Sequence, residues 1–318
     1  MSIAQRIKRI TSISNDRFTQ TPPCPKSVKI EIVPRCNYKC QYCAICFRKE
    51  QPTQDMDWGL FKTMTRDMKQ AGVEEIGVFY IGESFMNPEL LAKSIKFLKQ
   101  ELQIPYVFLT SNASLASYDA VRDCMRLGLD SLKWSCNAAD TQQFTELMGM
   151  PEVMFGKALA NIKAAKEVRE KYGYKTKLYA SSVKYDANQP ARMDTVLKTM
   201  ILPNVDEHYW LPLYTAGGQA IEKEGKLGMK PIAGNTGMLD DPVDPIPCWT
   251  LFTGAHIRAD GTMTACCLDG TGYWQVGDLK TQKFMEAWHS QEFKDLRKAH
   301  LDNNIKGTKC EKCALFGG

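Results

Sequence analysis

The sequence predicts an α/β fold built on a parallel sheet and followed by a small cysteine-bearing appendage. Three observations carry this prediction. Short β-type runs alternate with amphipathic helical stretches over residues 27–213, the pattern of strands joined by crossover helices. The texture then turns rich in Gly, Pro and Asp over residues 214–247, with no sustained period. Beyond it come a hairpin, two helical patches and a tail with paired cysteines, completing 318 residues, enough for roughly two units of about 150 residues.

Each element follows from local pattern. Residues 1–26 read as an N-terminal extension, in which Ile3, Ile7 and Ile10 at helical spacing beside Arg6, Lys8 and Arg9 predict a short helix packed on the domain. The first strand is 27–33, where Val28, Ile30 and Ile32 alternate with Lys29 and Glu31. Further strands are expected at 74–81, 105–110, 131–135, 175–183 and 207–213. Between them, a helix over 88–102 has Asn87 as N-cap and Pro88 in its first turn. Its Leu91, Ile95, Leu98 and Leu102 would face the sheet. Six such strands imply a parallel sheet, open or curled into part of a barrel. Residues 214–247 read as a connecting or substrate-covering loop. Residues 248–318 form the second unit, a hairpin turning at Asp260-Gly261, a pair suited to a two-residue turn, followed by helices at 282–288 and 291–301.

Composition narrows the function. With 41 Lys+Arg against 36 Asp+Glu the net charge is +5, too weak to argue for a nucleic-acid partner. No run approaches a membrane span and no secretory signal is evident, so a cytoplasmic protein without membrane attachment is expected. Twelve cysteines in such a chain point to metal or redox chemistry rather than a disulfide framework.

The cysteines cluster at two places. Cys36, Cys40 and Cys43, spaced C-x3-C-x2-C after the first strand, can converge on one metal centre while leaving a coordination position open. A zinc that borrows Cys46 or a distant His is the alternative. Cys248, Cys266, Cys310 and Cys313 make a closed four-thiolate set for an iron–sulfur cluster or a zinc.

With the aromatic Tyr42 just before its third cysteine, the first run resembles that of the radical S-adenosylmethionine (SAM) enzymes. That resemblance implies a partial (β/α)6 TIM-like barrel over 27–213 and a 4Fe-4S cluster on Cys36, Cys40 and Cys43. SAM would bind the open iron through its amino and carboxylate groups and, on one-electron reduction, give a 5'-deoxyadenosyl radical. It also implies an external one-electron donor such as flavodoxin or ferredoxin. Ile81-Gly82-Glu83-Ser84 resembles the family's G-G-E-P element, with Gly82 and Glu83 receiving the SAM ammonium. Ser111, Asn112, Ser135 and Asn137 resemble ribose contacts, and Ser181, Ser182 and Lys184 are candidates for the SAM carboxylate.

Cys248-x12-Gly261-x4-Cys266 resembles the opening of the SPASM domain, a cysteine-rich extension of these enzymes. With only four such cysteines before Gly318, the arrangement is similar to the shortened "twitch" form. That form holds one auxiliary 4Fe-4S cluster, as in the butirosin-pathway 2-deoxy-scyllo-inosamine dehydrogenase. Five cysteines remain. Cys124 reads as a core residue, Cys24 and Cys46 stay unassigned, and Cys136 and Cys267 are candidate hydrogen-atom donors. Tyr209, Trp210 and Tyr214 serve ring stacking or barrel-mouth packing, while Arg258 and Asp269 flank the second cluster. The function expected is oxidation or epimerisation at a carbon bearing a hydroxyl or amine in a small polar substrate, a sugar or aminocyclitol. Modification of a ribosomal peptide or of a nucleoside or nucleic-acid side chain is the alternative, and a non-catalytic zinc protein is the reading from another class.

Overall fold

The computed structural model describes residues 1–218 and 236–314. In chain order the barrel part comprises α1 (Ile3–Thr11), β1 (Ser27–Ile30), α2 (Trp58–Gln70), β2 (Glu75–Gly77), α3 (Pro88–Lys96), β3 (Tyr106–Ser111), α4 (Tyr118–Arg126) and β4 (Ser131–Ser135). It continues through α5 (Thr141–Met148), α6 (Val153–Tyr172), β5 (Lys177–Lys184), α7 (Gln189–Val196) and β6 (Glu207–Pro212). A small ribbon, β7 (Gly237–Met238) with β8 (Asp241–Pro242), leads to α8 (Thr250–Thr253), β9 (Gly254–Ile257), β10 (Thr262–Thr264) and β11 (Gln275–Asp278). The helices α9 (Phe284–Trp288), α10 (Gln291–Leu301) and α11 (Glu311–Ala314) follow. The connecting loop expected at 214–247 includes residues 219–235, which lie outside the described residues, as do 315–318 of the second unit.

The strands β1 to β6 pair in sequence order and every neighbouring pair is parallel, the open arc of a partial barrel. The hairpin does not stand apart from this sheet. Its β9 pairs parallel with β1, from Ser27↔Gly254 to Ile30↔Ile257, and β10 and β11 add antiparallel strands beyond it. The turn also differs from the two-residue one expected. Arg258 and Thr262 pair across a loop of residues 259–261, with the Gly261 N–H donating to the Arg258 carbonyl at 2.9 Å and Gly261 at φ +87°. This is a three-residue loop whose last position requires the left-handed region.

Period-two alternation sets the two faces of the sheet. Val28, Ile30, Ile76, Val107, Leu109, Leu132, Trp134, Leu178 and Ala180 are fully buried in the core. Their neighbours Lys29, Phe108, Thr110, Lys133, Tyr209 and Leu211 line a cavity of about 310 Å³ inside the barrel. The helix expected at 88–102 runs regularly to Lys96 and then widens to a π-turn over Phe97–Glu101. Leu91, Ile95 and Leu98 on its inner face are fully buried.

The N-terminal helix closes the strands' N-terminal end. Ser2 caps α1 through a box with Gln5. Arg6 and Arg9 both bind Glu75 at the start of β2, and the Arg6 guanidinium lies 3.2 Å from the ring centroid of Tyr106 at the start of β3. The N–H of Ile3 donates to Glu207 at the start of β6 at 3.1 Å. Ile3, Ile7 and Ile10 thereby floor the barrel cavity.

Candidate active site

The loop from β1 to α2 carries Cys36, Cys40 and Cys43 and is fastened at several points. Lys39 and Gln41 donate to the carbonyls of Met148 and Leu147 at 3.0 and 2.9 Å. Arg48 forms a buried ion pair with Glu31 at 2.8 Å while donating to the Pro34 and Gly270 carbonyls. The sulfur of Cys36 accepts from the Tyr38 N–H at 3.4 Å and from the Asn112 amide at 3.8 Å. Burial raises all three thiols, and Cys36, which also faces the Glu83 carboxylate, is pushed up to about 12. Thiols so placed become thiolates when a cationic centre replaces their protons.

At the ends of β2 and β3 the second motif locks onto this loop. A methyl group on Gly82 would lie 2.0 Å from the Val33 carbonyl oxygen, so only glycine fits. The N–H of Glu83 donates to the Arg35 carbonyl at 2.7 Å. Its buried carboxylate accepts from Ser111 Oγ at 3.0 Å and from the N–H groups of Asn112 and Phe85 at 2.8 and 3.1 Å. Desolvation nevertheless raises its pKa. Gly82, Glu83, Ser111, Asn112 and Cys36 are thus brought together.

The remaining SAM candidates divide by face. Ser135, Cys136 and Asn137 line a separate cavity of about 30 Å³ with Tyr38 and Asn112. Asn137 donates to Tyr42 Oη at 2.8 Å and accepts from the Val183 N–H at 3.0 Å. Ser181 stands beside Tyr209 on the inward face and helps hold its hydroxyl. Alternation sends the next residue, Ser182, to the helix side, where it donates to the Cys136 carbonyl at 2.5 Å and lies 2.9 Å from His208 Nε2. Lys184 ends β5, partly buried and opposite Pro212.

The second cysteine set surrounds one small cavity. Cys248, Cys266, Cys310 and Cys313 line about 40 Å³, joined by Cys267 and His300. Burial, then the neighbouring thiols, raises Cys248, Cys266 and Cys310. Asp269 organises the loop that follows Cys266. Its buried carboxylate accepts from Thr264 Oγ1 at 2.7 Å and from the N–H groups of Thr271, Gly272, Tyr273 and Trp274 at 2.7–3.1 Å. Tyr80 donates to the Cys266 carbonyl at 2.5 Å and accepts from the Asp269 N–H at 2.9 Å.

Three partly buried thiols on one loop and four around one small cavity suit 4Fe-4S clusters, in which each thiolate binds a different iron. The two loops touch: a methyl on Gly270 would be 2.1 Å from the Ala44 carbonyl oxygen, next to Cys43.

Two of the leftover cysteines now differ. Cys267 lines both the barrel cavity and the four-cysteine cavity. Cys136 lines the separate small cavity, where burial pushes its thiol up to about 12. Cys124 is buried in the core. Tyr209 and Tyr214 line the barrel cavity, whereas Trp210 packs edge-on against His208, with ring centroids 5.4 Å apart. Tyr80, His300 and the Arg48–Glu31 pair carry no local sign of their roles in the sequence. Lys29 and Lys133 do carry one, as charged residues at inward positions of core strands.

A parallel partial barrel with three thiols on its first loop, and four more around a cavity in a C-terminal extension, defines an iron–sulfur barrel enzyme. Residues 30–176 match the Radical SAM superfamily, and residues 248–314 match SPASM, an iron-sulfur cluster-binding domain. The chain belongs to the radical SAM superfamily with a C-terminal SPASM-type domain, and its cofactors are SAM and 4Fe-4S clusters. This corrects the alternative of a non-catalytic zinc protein.

The chain is 29% identical over 136 residues to the S-adenosylmethionine-dependent nucleotide dehydratase RSAD2 of Siniperca chuatsi, covering 40% of this chain and 37% of that protein. It thus spans little more than a third of the length of that relative. It is 23% identical over 323 residues to the tungsten-containing aldehyde ferredoxin oxidoreductase cofactor-modifying protein of Pyrococcus furiosus, covering 91% of this chain and 87% of the relative. The fold is similar to BtrN in complex with AdoMet and 2-DOIA, with a TM-score of 0.57, 14% identity and 91% of each chain covered. It is also similar to Streptococcus suis SuiB bound to its precursor peptide SuiA, with a TM-score of 0.64, 15% identity, and 98% of this chain and 73% of that one covered. Among the described residues no helix is long and apolar enough to cross a membrane.

Proposed function

We propose that this enzyme binds a small polar substrate in the barrel cavity and removes hydrogen from a carbon bearing a hydroxyl or amine, for net oxidation or epimerisation. The observation that carries the reading is the wall shared by the two cavities, where Cys267 faces both the barrel interior and the four-cysteine set. In this reading residues 27–213 are the catalytic core and 248–318 the auxiliary unit. Cys36, Cys40 and Cys43 hold the SAM cluster, and Cys248, Cys266, Cys310 and Cys313 the auxiliary one. When bound, these groups supply one-electron chemistry: cleavage of SAM to a 5'-deoxyadenosyl radical at the first, and an electron acceptor at the second, with a flavodoxin or ferredoxin as external donor.

The chain's own residues position the reactants. A carboxylate offers about four acceptor sites, so Glu83, with three occupied by Ser111, Asn112 and Phe85, keeps one for the SAM ammonium. Gly82 lets that ammonium approach the backbone. Asn112, Ser135 and Asn137, with Tyr42 behind, offer amide and hydroxyl groups to the ribose, while Ser181 and Lys184 offer donors to the SAM carboxylate. Cys267 is the favoured hydrogen-atom donor for epimerisation because its thiol lines the substrate cavity.

The test is turnover with candidate metabolites in deuterated water, following 5'-deoxyadenosine and product mass. Loss of two mass units marks dehydrogenation. Gain of one marks epimerisation through an exchangeable donor and should vanish in Cys267→Ala. Persistence of that label in Cys267→Ala removes it as donor, and absence of 5'-deoxyadenosine from the reconstituted protein overturns the reading. A nucleotide substrate is the second reading, supported by the alignment with the RSAD2 relatives.

A further inference from the structure

Barrel interiors are normally filled by bulky apolar residues, yet this one presents two ammonium groups. Lys29 on β1 and Lys133 on β4 both line the 310 Å³ cavity. Each leans toward an aromatic ring, Lys29 Nζ lying 5.8 Å from the Phe79 centroid and Lys133 Nζ 5.8 Å from that of Tyr209. Among the described residues neither forms an ion pair. Among the described residues the one carboxylate lining the cavity, Glu75, is taken by Arg6 and Arg9 at the floor. His256 on β9 adds a buried imidazole whose Nδ1 has no hydrogen-bond partner among the described residues. Charges taken from water are retained when something pairs them, and among the described residues no carboxylate is left to do so. Burial lowers the pKa of both lysines, Lys133 to about 8, against the raising effect of the Cys267 thiol on Lys29 and of the Cys136 thiol on Lys133.

We infer that the barrel cavity takes a substrate bearing an anionic oxygen group, a phosphate or a carboxylate, clamped between Lys29 and Lys133 with His256 alongside. This rests on the reading of the cavity as the substrate site. Its volume of about 310 Å³ is at the small end of the range for ligand pockets, which suits a phosphorylated or carboxylated metabolite rather than a polymer. Phe79 and Tyr209 then serve as apolar walls that orient the lysine stems.

The test is calorimetric titration of the reconstituted holoenzyme at low ionic strength with inorganic phosphate and, separately, malonate. The inference expects saturable binding of at least one at one site per chain. Lys29→Met and Lys133→Met should each weaken it tenfold or more. Lys133→Arg should stay within a few-fold, and Lys163→Met, whose charge lies on an exposed helix surface beside Glu167, should bind as the wild type. Phosphate alone would assign a phosphate ester, and malonate alone a carboxylate. Failure of both anions to bind, or binding indifferent to both Met variants, overturns the inference. 5'-Deoxyadenosine formation by the same wild-type preparation separates the two claims. If it forms without anion binding, only the anion claim falls. If lysine-dependent binding occurs without it, only the radical reading falls.

Discussion

A methyl group on Gly82 would sit 2.0 Å from the Val33 carbonyl and 2.8 Å from that of Arg35, so the cysteine loop and the second motif meet backbone to backbone. Gly82→Ala should therefore cost about 1–3 kcal/mol through overpacking, read as a lower thermal midpoint. It should also displace Cys36, reducing reconstituted iron. Unchanged midpoint and iron content would show that the loop yields. At this scale the chemistry-bearing residues were legible, because the C-x3-C-x2-C spacing and the Gly-Glu pair are local. The work of Asp269 was not. It depends on N–H groups of residues 271–274 that turn toward one carboxylate only after the loop has closed, and an aspartate in a Gly- and Thr-rich stretch carries no sign of that.

The strands were legible as elements, since alternation of Val28, Ile30 and Ile32 with Lys29 and Glu31 marks a sheet with two different faces. The partner of the first strand was not. β1 lies between β2 and β9, and the latter pairing joins residues 27–30 to 254–257; neither run alone specifies it. Across that joint Arg48 ties Glu31 to the Gly270 carbonyl, linking the first cysteine loop to the second. Removing one member of a buried ion pair leaves an uncompensated charge. Arg48→Met should thus destabilise by about 3–5 kcal/mol, while Arg48→Met with Glu31→Gln should recover much of the loss. A double variant no more stable than the single one, by urea denaturation, would show that the hydrogen bonds of Arg48 to the two carbonyls matter more than its charge.

For the molecule as a whole, the barrel cavity gathers its charges from every side. These are Lys29 on β1, Glu75 on β2, Lys133 on β4, His256 on β9 and Arg6 on α1, with Tyr106, Tyr179 and Tyr209 on β3, β5 and β6, Tyr214 after β6 and Cys267 beyond β10, while the Cys136 thiol after β4 acts on Lys133. Burial raises the four tyrosines and Cys136 and, with the Lys29 charge, holds His256 far below its ordinary value, so these groups stay neutral near pH 8. Lys133, lowered to about 8, is a cation below that pH and neutral above it. Anion affinity should therefore be full toward pH 7 and fall as pH rises through about 8. Lys133→Arg should shift that fall upward, because guanidinium keeps its proton. An affinity flat from pH 7 to 9 in the wild type would place the anion elsewhere.

The proposed chemistry rests on the partition of seven cysteines into a set of three that supports SAM cleavage and a set of four that supports an auxiliary cluster. Iron content and 5'-deoxyadenosine formation in the anaerobically reconstituted Cys36→Ala/Cys40→Ala/Cys43→Ala protein test it most directly. The partition predicts about eight irons in the wild type and about four in the variant, with the brown colour kept and 5'-deoxyadenosine lost. Undiminished iron, or continued SAM cleavage by the variant, would contradict it.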